Sequence, residues 1–282
     1  MVTYHTTRVN GLDVFYREAG AADKPAFLLL HGFPTASHLF RNLMPLLEDD
    51  FHLIAPDLIG FGQSSAPARD EFDYTFEALT DVVDGLLDKL GLERFYLYVF
   101  DYGAPIGFRL AVRHPERILG IVSQNGNVYE EGLGTKWEAR RRYWEHPTPE
   151  QRESFKTAFA PDTVRGQYEF GEAPGGVGPD GWQIDLWYAT QGGDAYAERQ
   201  SDLIYDYRTN VALYPTFQAY LRERQPPLLA AWGRNDPSFV WQGALAFRRD
   251  VPAVDVCLLE GGHFVLETHY EEIARLIREK FG

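Results

Sequence analysis

The sequence has a single cysteine, Cys257, among its 282 residues, so no disulfide can form within the chain. Cys257 sits in the apolar segment 254–259 and reads as a small core residue of a strand rather than a nucleophile. Positive charge is scarce: 27 Lys and Arg stand against 41 Asp and Glu, giving a formal charge of −14 with no basic stretch. Nucleic acid and anionic membranes are therefore poor partners. Long hydrophobic runs are absent as well, and the segments near 26–30 and 95–100 are far too short to span a bilayer. Met1-Val2-Thr3-Tyr4-His5 lacks the basic start and apolar run of a secretory signal, so a soluble, cytoplasmic protein is the expectation. Internal repeats and coiled-coil heptads are missing too.

What is present is a globular composition, with 45% hydrophobic and 15% aromatic residues, enough for one large core domain. Strand-like and helix-like segments alternate in two blocks. The first block has strands at 14–18, 26–30, 52–55, 95–100 and 118–123, with helices at 38–47, 74–90 and 103–113. The second has strands at 227–232 and 254–259 and helices at 239–248 and 269–281. Such alternation predicts an α/β fold, a mostly parallel sheet flanked by helices on both faces.

The pattern breaks between the blocks. Residues 125–225 hold charged helical stretches, a Gly/Pro-rich patch at 171–179 that reads as a loop, and no convincing strand. The prediction is a core domain of residues 1–124 and 226–282 interrupted by a helical domain of residues 125–225. That insertion carries 9 of the 16 tyrosines and 4 of the 6 tryptophans but only 4 of the 19 phenylalanines. Most of these rings suit half-buried packing, and one or two are expected to serve as hydrogen-bond donors.

The strongest chemical signal is Tyr98-Val99-Phe100-Asp101-Tyr102-Gly103-Ala104, between a predicted strand and helix. A nucleophile on so tight a turn needs small neighbours, which Gly103 and Ala104 supply, although Val99 is larger than the usual glycine. The helix start favours a carboxylate and any oxyanion formed there. Leu30-His31-Gly32-Phe33-Pro34 follows another strand, and the Phe33 and Tyr102 peptide N–H groups are candidates for an oxyanion hole. Asp57 in Ala55-Pro56-Asp57-Leu58 reads as structural. Trp232-Gly233-Arg234-Asn235-Asp236 and Leu259-Glu260-Gly261-Gly262-His263-Phe264 each leave a strand late in the chain. Asp101, Asp236 and His263 then stand in the order nucleophile, acid, histidine.

With these motifs the sequence resembles the α/β-hydrolase superfamily, specifically its aspartate-nucleophile branch of epoxide hydrolases and haloalkane dehalogenases. The resemblance covers the whole core and implies an α/β-hydrolase fold with a helical cap inserted after the sixth strand. It also implies catalytic roles for Asp101, Asp236 and His263, and oxyanion donors at Phe33 and Tyr102. Asp101 would attack carbon to form an alkyl ester, and His263, held by Asp236, would activate water to hydrolyse it.

The leaving group separates the two families. Haloalkane dehalogenases hold halide with indole or amide N–H groups, one from a tryptophan after the nucleophile. Here Tyr102 and Phe33 occupy the relevant core positions, leaving cap tryptophans Trp144, Trp182 or Trp187 as the remaining donors. Epoxide hydrolases use two cap tyrosines. The stretch Asn210-Val211-Ala212-Leu213-Tyr214-Pro215 resembles their Asn-x-Tyr-Arg region, with Pro215 in place of the arginine, and nominates Tyr214; Tyr143 is the second candidate. Fluoroacetate dehalogenases place arginines just after the nucleophile, where this chain has Tyr102 and Pro105, so a haloacid is not expected. Arg140-Arg141-Arg142 reads as a solvated helix face. The leading expectation is a hydrolase of small apolar or aromatic epoxides. A haloalkane dehalogenase is the alternative, and a catalytically silent ligand-binding member of the fold a second. Neither a cofactor nor a metal is called for. The expected partners are a small-molecule substrate and water, and a homodimer is compatible with an apolar cap surface without being required.

Overall fold

A computed structural model describes residues 1–282. Eight strands form one sheet: β1 (Thr3–Val9), β2 (Leu12–Ala19), β3 (Ala26–Leu30), β4 (His52–Pro56), β5 (Phe95–Phe100), β6 (Ile118–Gln124), β7 (Leu228–Gly233) and β8 (Asp255–Leu259). Their spatial order is β1-β2-β4-β3-β5-β6-β7-β8. β2 pairs antiparallel with β1 and β4, and every other neighbour is parallel. The chain lays β4 on one side of β3 and then crosses to lay β5 on the other. The carboxyl ends of β3 and β5 therefore flank the point where winding reverses, which is where open α/β sheets bind ligands.

β1 escapes the hydrophobic pattern because it is an edge strand with mostly exposed or half-exposed residues. The signal for it lies in the turn instead. Asn10 and Gly11 have φ of 50° and 81°, the left-handed pair that a tight hairpin requires.

The central strands alternate between two cores. Leu28 and Leu30 of β3 face one cluster, whereas Phe27 and Leu29 face the other. The first cluster is covered by α1 (Phe76–Lys89) and α2 (Gly103–Arg113). Thr75 caps α1 by accepting a hydrogen bond from the Ala78 N–H at 3.1 Å. The opposite face is covered by α8 (Leu266–Phe281), through Ile273, Ala274 and Ile277. α7 (Gln242–Asp250) links β7 to β8.

Between β6 and β7 the chain is helical: α3 (Trp137–Glu145), α4 (Pro149–Phe155), α5 (Pro161–Glu169) and α6 (Asp180–Arg224), with short helical turns between. This is the cap over the carboxyl ends of the strands, and the Gly/Pro-rich patch is the connection from α5 to α6. α6 is broken at Gly193 (φ 49°, ψ −138°). Cys257 is half-buried in β8 and unpaired. No helix is long and apolar enough to cross a membrane.

Candidate active site

Asp101 occupies the turn between β5 and α2 with φ of 48°, a left-handed conformation that costs a non-glycine residue about 1 kcal/mol or more. Close packing holds it there. A Cβ on Gly32 would lie 2.4 Å from the Asp101 side chain, and one on Gly103 would lie 2.3 Å from the Leu30 carbonyl oxygen. The bulk of Val99 is accommodated one turn into α2, where a Cβ on Gly107 would meet it at 2.5 Å.

The two oxygens of Asp101 have different surroundings. Oδ1 accepts the Phe33 N–H at 2.7 Å and the Tyr102 N–H at 2.6 Å. Oδ2 lies 3.6 Å from Nε2 of His263. Burial raises the Asp101 carboxyl above its ordinary range, against the lowering pull of His263 and the two peptide N–H groups. His31 braces the Phe33 loop, because its Nε2 accepts the Leu58 N–H at 3.0 Å. Asp57 does the same work below, accepting from the Ser37 and Gln63 N–H groups at 2.7 Å each.

His263 follows β8, and its Nδ1 pairs with Oδ2 of Asp236 at 2.6 Å. Asp236 follows β7, and its Oδ1 accepts from the Ser238 and Phe239 N–H groups at 2.7 and 3.1 Å. All three side chains are buried. Burial works against protonation of His263, but the charge and hydrogen bond of Asp236, with Asp101 beyond, outweigh it and raise its pKa. The structure thus brings together Asp101, Asp236, His263, Phe33 and Tyr102.

Asn125, the first residue after β6, completes the acid. It donates Nδ2–H to Oδ2 of Asp236 at 2.8 Å and accepts the Gly233 N–H at 2.9 Å. The Asn125-Gly126 pair behind a strand is its only mark in the sequence. Asn125→Ala is expected to destabilise the fold by about 2 kcal/mol, since it orphans a buried N–H and a carboxylate contact. A urea midpoint within error of the parent would remove Asn125 from this role.

Above Asp101 lies a small cavity of about 30 Å³, whose lining includes Asp101, His263, Trp137, Arg140, Gln167 and Tyr207. It has space for at least one water. A neighbouring recess of about 230 Å³ shares Gln167, Ser238 and His263 with it. A larger surface groove around Arg69 and Asp73 contains none of these residues.

The proposed cap donors do not line this cavity. Tyr214 is buried behind Tyr207, with its hydroxyl 3.5 Å from that of Tyr207 and 3.3 Å from Nδ2 of Asn127. Tyr143 packs on Phe155 and Tyr205. The Trp144 N–H is spent on the Ile204 carbonyl at 3.0 Å, and Trp187 is exposed. Trp182 packs against the far core and under Arg165. Trp137 does line the cavity, but its N–H donates to the Ser238 carbonyl at 2.9 Å.

Tyr102 and Tyr207 are the two phenols lining the cavity, and Tyr207, on the cap, is held among Trp137, Phe76 and Tyr102 at centroid distances of 4.5, 5.5 and 5.9 Å. Burial raises its pKa well above the usual phenol value, so it stays a donor. Its signal in the sequence is Arg208, which restores the Tyr-Arg pair that Tyr214-Pro215 lacks. The arginine run also divides. Arg142 is exposed and Arg141 pairs with Glu130, but Arg140 lines the cavity, because successive residues turn 100° around a helix.

Residues 25–270 match a family described as alpha/beta hydrolase fold. An uncharacterized hydrolase of Saccharomyces cerevisiae is 44% identical over 285 residues, covering 99% of this chain and 97% of the yeast protein. A fluoroacetate dehalogenase of Burkholderia sp is 30% identical over 275 residues, 90% of this chain and 86% of its own. The solved structure of a haloalkane dehalogenase from Bradyrhizobium elkani superposes with a TM-score of 0.82 at 26% identity, covering 99% of this chain and 97% of that one.

Proposed function

The chain belongs to the α/β-hydrolase family, and from that premise we propose that it opens a small epoxide through a covalent ester on Asp101. The observation that carries this reading is which cap indoles and phenols are left free to donate. The Trp137 and Trp144 N–H groups are occupied by backbone carbonyls, while the Tyr207 hydroxyl has only a 3.5 Å contact to another phenol. The indole donors that haloalkane dehalogenases use are thus spent, while a cap phenol is free to meet an epoxide oxygen.

In the first step Oδ2 of Asp101 attacks a ring carbon. The carbon–oxygen bond breaks, and the ring oxygen takes the Tyr207 proton. Water then adds to the Asp101 carbonyl carbon as Nε2 of His263 removes its proton. Oδ1 carries the negative charge of the tetrahedral intermediate against the Phe33 and Tyr102 N–H groups. Collapse breaks the bond between the Asp101 carbon and Oδ2, which departs in the diol with the proton from His263. The proton on the new carboxyl restores the Tyr207 phenol.

Single turnover in ¹⁸O-water tests this with styrene oxide and 1-chlorobutane side by side. Unlabelled diol oxygen from Asp101, with label retained on the enzyme, is expected from styrene oxide. Label in that first diol would overturn the ester. Chloride release with no epoxide opening would favour a second reading, a dehalogenase, which the names of the relatives support.

The pH profile offers an independent check. Water activation needs the neutral ring, so the hydrolytic rate is expected to fall as pH drops through a value above the ordinary histidine pKa, shared with Asp101. Asp236→Asn removes the charge that raises it. The acid limb should therefore move to lower pH as the rate declines, and a limb that stayed in place would detach Asp236 from His263.

A further inference from the structure

Arg140 and Lys136 stand one turn apart at the start of α3, and neither has a carboxylate within 4 Å, although the chain carries a charge of −14. Arg141, the next residue, finds Glu130. Arg140 makes one long hydrogen bond, 3.4 Å to the Lys136 carbonyl, and lies 4.8 Å over the Trp137 ring. Its guanidinium borders the cavity that holds Asp101, and Lys136 borders the recess that opens onto His263. Half-burying a guanidinium with no carboxylate in contact is costly. The charges lining cavity and recess are Asp101 against Arg140 and Lys136, with Asp236 shielded behind His263. One further negative charge would balance them.

We propose that Arg140 is the specificity residue of the site, gripping a carboxylate attached next to the reacting epoxide carbon, while Lys136 draws that anion through the recess. The guanidinium fork matches a carboxylate with two parallel N–H donors, and a local cation steers an anion across an otherwise acidic surface. This rests on the epoxide reading for the reacting group, but the anion site stands on its own residues.

The test uses isosteric probes. Glycidate and glycidamide differ only in charge at the group beside the ring, as do glycerate and glyceramide, which cannot react. The parent enzyme is expected to prefer glycidate in kcat/KM. In Arg140→Gln the glycidate-to-glycidamide ratio should fall by about 30- to 100-fold, mainly through KM, as expected for a lost hydrogen bond to a charged group. Arg140→Lys should recover part of the ratio. Rising salt should lower kcat/KM for glycidate in the parent more steeply than in Lys136→Gln. An unchanged ratio in Arg140→Gln, or equal loss on both probes, would overturn the proposal. Calorimetry with glycerate separates the two readings. Arg140-dependent glycerate binding without any epoxide opening keeps the anion site and sinks the epoxide. Opening of glycidamide with no binding of glycerate does the reverse.

Discussion

Replacing His263 with glutamine is expected to stall the reaction within its first cycle, leaving the substrate esterified to Asp101. In the proposed reaction the attack step draws on Oδ2 of Asp101, which faces the imidazole at 3.6 Å, and needs no base. Only the second step requires a proton acceptor positioned over the ester carbonyl. Glutamine keeps a polar side chain of similar reach but cannot take a proton from water. Hydrolysis of the ester should slow by about 10⁴-fold, the upper range for removal of a positioned general base. Mass spectrometry should find the enzyme heavier by one substrate, with the adduct on the peptide containing Asp101. Steady turnover at the parent rate, with no adduct, would return His263 to a structural role.

Tyr207→Phe should slow the first step instead, by about 10²- to 10³-fold, within the range for a general acid. The substitution removes one oxygen from a ring that Trp137, Phe76 and Tyr102 already hold, so the packing survives. Tyr214→Phe is the control, because its hydroxyl touches the site only through Tyr207 at 3.5 Å. Burst kinetics tell the two variants apart. Ester formation should become rate-limiting in Tyr207→Phe, and the Tyr214 variant should stay within about tenfold of the parent. If Tyr214→Phe lost as much as Tyr207→Phe, the proton would come from the pair and not from Tyr207.

The contrast between these tyrosines shows what the sequence carried. Asp101, Asp236, His263 and Phe33 each follow a strand with a strong apolar pattern. The fold of the sheet alone brings such strand ends together, so their meeting is legible before any coordinates. β1 is not legible by hydropathy, since an exposed edge strand buries little, and only Asn10-Gly11 betrays it. The cap is harder still. Its residues reach the cavity by how helices lean on the core, and helical spacing does not fix which face looks down. Tyr214 and Tyr207 differ by seven residues, two turns of α6, and both are buried. Only the neighbouring Arg208 distinguishes them. Arg140 hides in a run of three arginines for the same reason. Asn125 is hidden because a side-chain brace between two strand ends has no periodicity.

That brace ties the attachment of the cap to the site. Asn125 is where the chain leaves the sheet to build the cap, and the same side chain grips Asp236. Moving the cap at this root would loosen Asp236. A substitution that shifts the cap at its root is therefore expected to be felt by Asp236 as well.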